Sequence, residues 1–355
     1  MTESKCTLEA CLNMTELPSA KLLSSLTEKV CAVLKNEEEA YRPHNCVGEA
    51  GSLLNLSEDF SHPTVIVPDI HARPDFVKNF LNCPLPADFL EGPVPEQSVT
   101  VLEALKKKLI NVVCVGDAVH TELYGARWSL IAEEFKKGEH QGFFMTEEMI
   151  LNFATLCSLM KLKIRFPQNF HFLKGNHENI LNCNYGGDYA FYKYADEGEM
   201  VRTFVTEYYG EKILEQIARY ENLLPLAAYG KNYVVSHAEP AGSYKREQLI
   251  DAKFDEEVVE GLIWTRNGVV NKPTAMNIMV NLLGKRQAKK SLYFAGHRPV
   301  KGLFNFRQDG TFLQIHNPHN QNIFLVRQDK PFAVTDILNT KISLIKNQEE
   351  QKDEQ

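Results

Sequence analysis

Five short apolar runs in this chain each end in a side chain able to bind a metal or move a proton, and no other feature restricts the fold as strongly. Residues 64–68 (TVIVP) lead into Asp69-Ile70-His71, and residues 109–115 (LINVVCV) into Gly116-Asp117. Residues 169–174 (NFHFLK) lead into Gly175-Asn176-His177-Glu178, 232–236 (NYVVS) into His237, and 291–295 (SLYFA) into Gly296-His297. Length and β-branched content mark each run as a buried strand. Gly175 permits the sharp turn that delivers Asn176 and His177 to a strand end. The i, i+2 spacing of Asp69 and His71 puts both on one side of an extended backbone.

In open α/β sheets, groups from different strands meet at the carboxyl ends of those strands, so the five termini can build one site. The collected donors are Asp69, His71, Asp117, Asn176, His237 and His297, with His177 left over. A nitrogen and oxygen set without thiolate suits two divalent first-row ions such as manganese, iron or zinc.

The order Asp-x-His, Gly-Asp, Gly-Asn-His-Glu, His, Gly-His resembles the calcineurin-like metallophosphoesterases, and within them is most similar to the phosphoprotein phosphatase branch. The resemblance spans residues 63–326 and includes Leu224-Pro225-Leu226 and Leu262-Ile263-Trp264 around the fourth block. It implies a sandwich of two mixed β-sheets flanked by helices, with the ligands on loops at the strand ends. It also implies that Asp117 bridges two metals, with Asp69 and His71 completing one site and Asn176, His237 and His297 the other. A water between the metals would attack phosphorus directly, without a phosphoenzyme, while His177 protonates the leaving oxygen.

Two departures accompany the match. The branch reads Gly-Asp-x-x-Asp-Arg-Gly at the second block, whereas this chain has Gly116-Asp117-Ala118-Val119-His120-Thr121-Glu122. His120 therefore stands where a carboxylate orients the catalytic histidine, and Thr121 where an arginine binds phosphate. His120 is a candidate to touch the site, and Glu122 a candidate to supply the missing charge. The last block, Gly296-His297-Arg298-Pro299, lacks the second histidine that many non-phosphatase members carry. Arg298 and Arg266 are the candidates for bidentate phosphate binding. His44, His62, His140, His171, His316 and His319 lack the strand-end context and read as surface or satisfied core groups.

Strands alternating with helical patterns independently give the α/β class. With 44% hydrophobic and 24% charged residues the chain can bury a substantial core. A net charge of -7 leaves no basic face for nucleic acid. The eight cysteines show no CxxC pair or disulfide spacing, and Cys114 and Cys157 lie in apolar runs as core residues. Without a signal-like start or about 18 consecutive apolar residues, the expectation is a cytoplasmic protein away from membranes.

Residues 1–60 read as a helical preface, with Leu22, Leu23, Leu26, Val30, Cys31 and Leu34 on one helix face, an acidic helical run stopped by Pro43, and a linker over 48–57. Residues 61–345 read as the catalytic domain. A Pro-rich loop spans 84–97, and a helical insertion spans 122–166, with Thr146 as N-cap of its second helix. Residues 188–220 read as helical. Tyr185, Tyr189, Phe191, Tyr192 and Tyr194 fit core packing better than a cleft wall. Residues 346–355 form a polar tail.

Two function classes are open. One is a dinuclear phosphatase acting on a phosphorylated small molecule or a phosphoprotein, with a dinucleotide polyphosphate hydrolase as the enzymatic alternative. The other is a catalytically weak member that keeps the fold as a binding module. Six converging ligands favour the enzyme, because an idle site has no physical need of them.

Overall fold

A computed structural model describes residues 7–90, 98–328 and 330–344. The expected polar tail and residues 91–97 of the Pro-rich loop lie outside them. Among the described residues, thirteen strands form two mixed sheets and a small ribbon. The five-stranded sheet has the order β13-β12-β2-β5-β6. Here β2 (Thr64–Val67), β5 (Asn111–Cys114) and β6 (Phe170–Phe172) run parallel, while β12 (Asn322–Val326) and β13 (Ile337–Asn339) complete an antiparallel edge. The six-stranded sheet has the order β1-β7-β8-β9-β11-β10. In it β8 (Tyr233–Ser236), β9 (Leu292–Ala295) and β11 (Phe312–Gln314) are parallel. Strands β1 (Leu53–Leu56) and β7 (Ala227–Gly230) close one side and β10 (Asn305–Arg307) the other. The ribbon pairs β3 (Pro84–Leu85) with β4 (Val99–Thr100).

Successive residues of a strand point to opposite faces, and that alternation sorts the apolar side chains into three layers. Ile66, Val113, Val235, Phe294, Leu313 and Phe324 meet between the sheets. Val65, Val67, Val112 and Cys114 face the helices over the five-stranded sheet, and Val234, Tyr293 and Phe312 those over the other. Because the inner strands of both sheets, such as β2, β5 and β8, are buried along their whole length, they read as unbroken apolar runs rather than alternating ones.

Helix Ala20–Lys35 starts at Ser19, whose hydroxyl accepts from the Leu22 amide, and buries the six apolar residues expected of it. It packs between helices Phe143–Arg165 and Glu211–Leu223. Glu37, just past its end, forms a buried ion pair with Arg42 and another with Lys163 at 2.5 Å. The 23-residue helix Phe143–Arg165 is long and apolar enough to cross a membrane by length and composition, but most of it lies inside this core.

Several local expectations need correction. Residues 48–57 contain strand β1, whose LLNL run pairs in parallel with β7 and is buried throughout, so no polar alternation announced it. Residues 37–42 form turns rather than a helix. The second helix expected over 122–166 starts at Phe143 with Gly142 as N-cap, because Glu134 accepts the amides of Phe144 and Met145. Thr146 instead donates to Gln141 O. Residues 188–196 are irregular, and helix begins only at Glu197.

Candidate metal centre

Strands β2, β5 and β6 end on one side of a common point, and β8, β9 and β11 end on the other. Asp69, His71, Asp117, Asn176, His177 and His237 are all buried at these ends. All six sequence-derived candidate ligands are brought together. His71 Nε2 lies 3.6 Å from Asp117 Oδ2 and 3.9 Å from Asp69 Oδ2, and His237 Nε2 lies 3.3 Å from Asp117 Oδ2. The Asn176 amide oxygen sits 2.9 Å from His237 Nε2 and 2.8 Å from His297 Nδ1.

The local backbone is bent to achieve this. His71, Asp117, His120 and His297 have φ of 47°, 56°, 64° and 60°. Positive φ is uncommon for any residue but glycine, and it persists where the surroundings over-determine it. Glu178 is the main brace, and residue-by-residue reading passed over it. Its carboxylate accepts the amides of Asp117, Ala118 and Gly175 at 2.9, 2.7 and 2.7 Å. A Cβ at Gly175 would lie 2.2 Å from Asp117 Oδ1, so the approach of the two turns requires glycine.

The hydrogen-bond wiring tests whether cations fit here. His71 Nδ1 faces the Val119 carbonyl at 3.4 Å, and His237 Nδ1 faces the Val115 carbonyl at 3.1 Å. A carbonyl only accepts, so in each ring the hydrogen sits on Nδ1. Burial holds both rings neutral, His71 down to about 4 and His237 below its usual range. Their Nε2 lone pairs then face carboxylates and an amide oxygen, which are acceptors too. Lone pair against lone pair is repulsive unless a cation lies between. Burial and the Asp69 carboxylate likewise push Asp117 well above the carboxylate range, a second sign of uncompensated negative charge. The donors therefore fit divalent metal ions, in the pattern where a ligating imidazole gives its other N–H to a carbonyl.

His120 and Glu122 part ways. His120 Nδ1 lies 2.9 Å from His177 Nδ1, so His120 does touch the candidate acid. Phe191 stacks on His120 with ring centroids 5.3 Å apart. Glu122 acts on His177 only through space, where its charge opposes the downward push of burial and the neighbouring rings; its hydrogen bonds go to Lys193 and to His316 Nε2. Thr121 is buried and hydrogen-bonded to Glu148, on helix Phe143–Arg165, through both its hydroxyl and its amide. It cannot play the part of a phosphate-binding arginine.

His316 overturns its reading as a satisfied core group. It is fully buried, and its Nδ1, 3.6 Å from Asp69 Oδ2, has no hydrogen-bond partner among the described residues. The signal was present, since it stands two residues beyond β11 (FLQIH), the strand-end context used for the others. The tyrosines are corrected as well. Tyr185 is 81% and Tyr192 75% exposed, which core packing does not allow. Tyr189, Phe191, Tyr192 and Trp264 wall a cleft of about 830 Å³ whose floor includes Asn176, His177 and His297. Arg266 and Arg298 also line it. Arg298 Nε is buried without a hydrogen-bond partner among the described residues, and burial together with nearby Arg266 depresses its guanidinium, so an anion there would be welcome.

The sequence profile of the calcineurin-like phosphoesterase family matches residues 62–321. No curated protein matches the chain. Among solved structures it is similar to a protein serine/threonine phosphatase from Saccharomyces cerevisiae with similarity to human phosphatase PP5. The two share 16% identity over 91% of this chain and 89% of that one, with a TM-score of 0.53, a likeness of fold. A cold-active protein-tyrosine phosphatase of a psychrophilic Shewanella matches at 11% identity over 78% of each chain, with a TM-score of 0.39.

Proposed function

The chain belongs to the calcineurin-like phosphoesterase family and is a phosphoester hydrolase, and on that premise we propose that it is a two-metal phosphatase acting on a phosphomonoester of a small molecule or phosphoprotein. Asp69, His71 and Asp117 would hold one ion, and Asp117, Asn176, His237 and His297 the other. When bound, such ions supply Lewis-acid polarisation and a more acidic water. The observation that carries this reading is the pair of neutral imidazoles, His71 and His237, whose lone pairs face only acceptors.

The chain's own residues do the rest. Arg266 and Arg298 offer guanidinium groups to the phosphoryl oxygens, taking over from the arginine that Thr121 replaces. The aromatic walls offer the leaving group a surface to pack on. His177 and His120 are both neutral: burial, then His71 and His120, push His177 well below its usual range, and burial takes His120 to about 3. Two neutral rings share a single hydrogen between their Nδ1 atoms. With His120 donating it, His177 carries its own hydrogen on Nε2, which lies 3.7 Å from Asp117 Oδ2 on the side of the cluster. That N–H is donated to the departing oxygen. A neutral imidazole is a weak acid, so the enzyme favours substrates with good leaving groups.

The test is release of phosphate from an aryl phosphate with added manganese, followed by phosphopeptides, nucleotides and dinucleotide polyphosphates under the same conditions. Turnover that disappears on chelation and in His177→Asn is expected. Metal uptake with no hydrolysis of any of these would favour the binding-module alternative.

A further inference from the structure

We infer that His316 is a seventh metal ligand, binding through Nδ1 beside Asp69 and His71, and that Glu122 is the positioning residue that aims it. The inference rests on the two-metal reading and adds a donor at a position that none of the sequence motifs supplied.

The argument is one of wiring. In His71 and His237 one ring nitrogen gives its hydrogen to a fixed acceptor and the other points a lone pair into the cluster. His316 repeats the arrangement with the nitrogens exchanged. Its Nε2 donates to Glu122 Oε2 at 2.9 Å, which leaves the lone pair on Nδ1. That atom is fully buried and has no hydrogen-bond partner among the described residues. Asp69 Oδ2 stands 3.6 Å away, too far for a hydrogen bond. Two donors about 2 Å from one ion are roughly 3 Å apart, close to this separation. Asp69, His71 and His316 also present donor atoms within 4.8 Å of one another.

A rival account makes His316 a charged bridge between Asp69 and Glu122. It fails on the Asp69 side, where a protonated Nδ1 would draw the oxygen into hydrogen-bond range. Glu122 also lies 3.6 Å from His71 Nε2 and is fixed from the cleft loop by Lys193. The replaced motif His120-Thr121-Glu122 is thus coherent: Thr121 turns away to Glu148 and Glu122 turns inward to orient a histidine. A carboxylate holding a ligating imidazole in this way is a recurrent means of fixing its orientation.

The experiment is manganese binding to the metal-free full-length chain, measured by calorimetry and chelator competition, with pulsed electron paramagnetic resonance of the loaded protein. His316→Ala is expected to weaken one of two binding events by at least the about 10–100-fold that losing an orienting partner costs, spare the other, and remove one coordinated-imidazole nitrogen from the spectrum. Glu122→Gln should weaken the same event while keeping that nitrogen, and it serves as the second variant should His316→Ala fold poorly. Unchanged affinity in both variants, or weaker binding in His316→Ala with the nitrogen count intact, overturns the inference while leaving the two-metal reading in place. A wild-type chain that takes up no manganese overturns both.

Discussion

Gly296→Ala should disable the site although it changes no candidate ligand. A Cβ built at this position lies 1.6 Å from Asp69 Oδ1, 2.7 Å from its Cγ and 2.9 Å from Val115 Cγ2. Asp69 is fully buried, and its other oxygen accepts the His297 amide at 2.8 Å, so the carboxylate and the Gly296-His297 turn are locked together. Relief requires one of them to retreat by roughly 2 Å, and a 1 Å misplacement in a catalytic array can cost about 100-fold. We therefore expect kcat/KM to fall by at least about 100-fold and metal affinity to fall with it. Overpacking of this kind costs about 1–3 kcal/mol, so the protein stays folded, with a melting point a few degrees lower. Gly302→Ala, where the added carbon meets nothing within 4 Å, is the matched control and should behave as wild type. The assay is steady-state hydrolysis of an aryl phosphate beside a thermal melt and a metal determination. A Gly296→Ala protein that keeps its metal and more than about a third of its kcat/KM would refute the claim that Asp69 must sit where it does.

Three further outcomes follow from the same geometry. His120→Asp places a carboxylate beside His177, which raises that ring's pKa, so a protonated acid persists to higher pH; the alkaline limb of kcat should move up for an alkyl phosphate and stay put for an aryl phosphate with a good leaving group. Asp117→Asn should be the most damaging single ligand change, because Asp117 faces His71, His177 and His237 at once; if Asn176→Ala or His71→Ala abolished turnover while Asp117→Asn kept most of it, the assigned roles would be wrong. Glu37 is pushed up by burial, but Lys163 and Arg42 outweigh this and hold it at about 2 against an ordinary 4.5. A carboxyl depressed in the folded state stabilises above its unfolded pKa, so up to about 3 kcal/mol should be lost between pH 4.5 and 2, less whatever the buried Lys163 ammonium costs; chemical denaturation of Glu37→Gln should be flatter across that window, and an identical acid profile would contradict the reading.

How much of this was legible in the sequence depended on what each element offered. Strands β2, β5, β6, β8 and β9 announced themselves because buried parallel strands are continuous apolar runs and their ends carry unusual polar residues. Strand β1 did not, since LLNL is short and its environment comes from a partner more than 170 residues away, near Ala227. The six candidate ligands were visible one strand at a time. His316 follows β11 in the same way, but it falls outside the blocks that define the resemblance, and attention to those blocks hid it. The tyrosines were misjudged because density of aromatic residues says nothing about which side of a loop meets water. Glu178 was in plain view within the Gly-Asn-His-Glu turn, yet its task of holding three backbone amides is a tertiary fact, set by where the Asp117 turn comes to lie. The fate of Glu122 was undecidable for the same reason: its partners, Lys193 and His316, lie 71 and 194 residues further along the chain.

The central claim is that the buried acceptors and imidazole lone pairs at the strand ends exist to hold two cations, and metal stoichiometry tests it most directly. Metal-free protein saturated with manganese, freed of excess ion and analysed for elemental content should retain about two ions per chain, the number a two-metal hydrolytic site requires. A content of one ion or fewer at saturation would contradict the account.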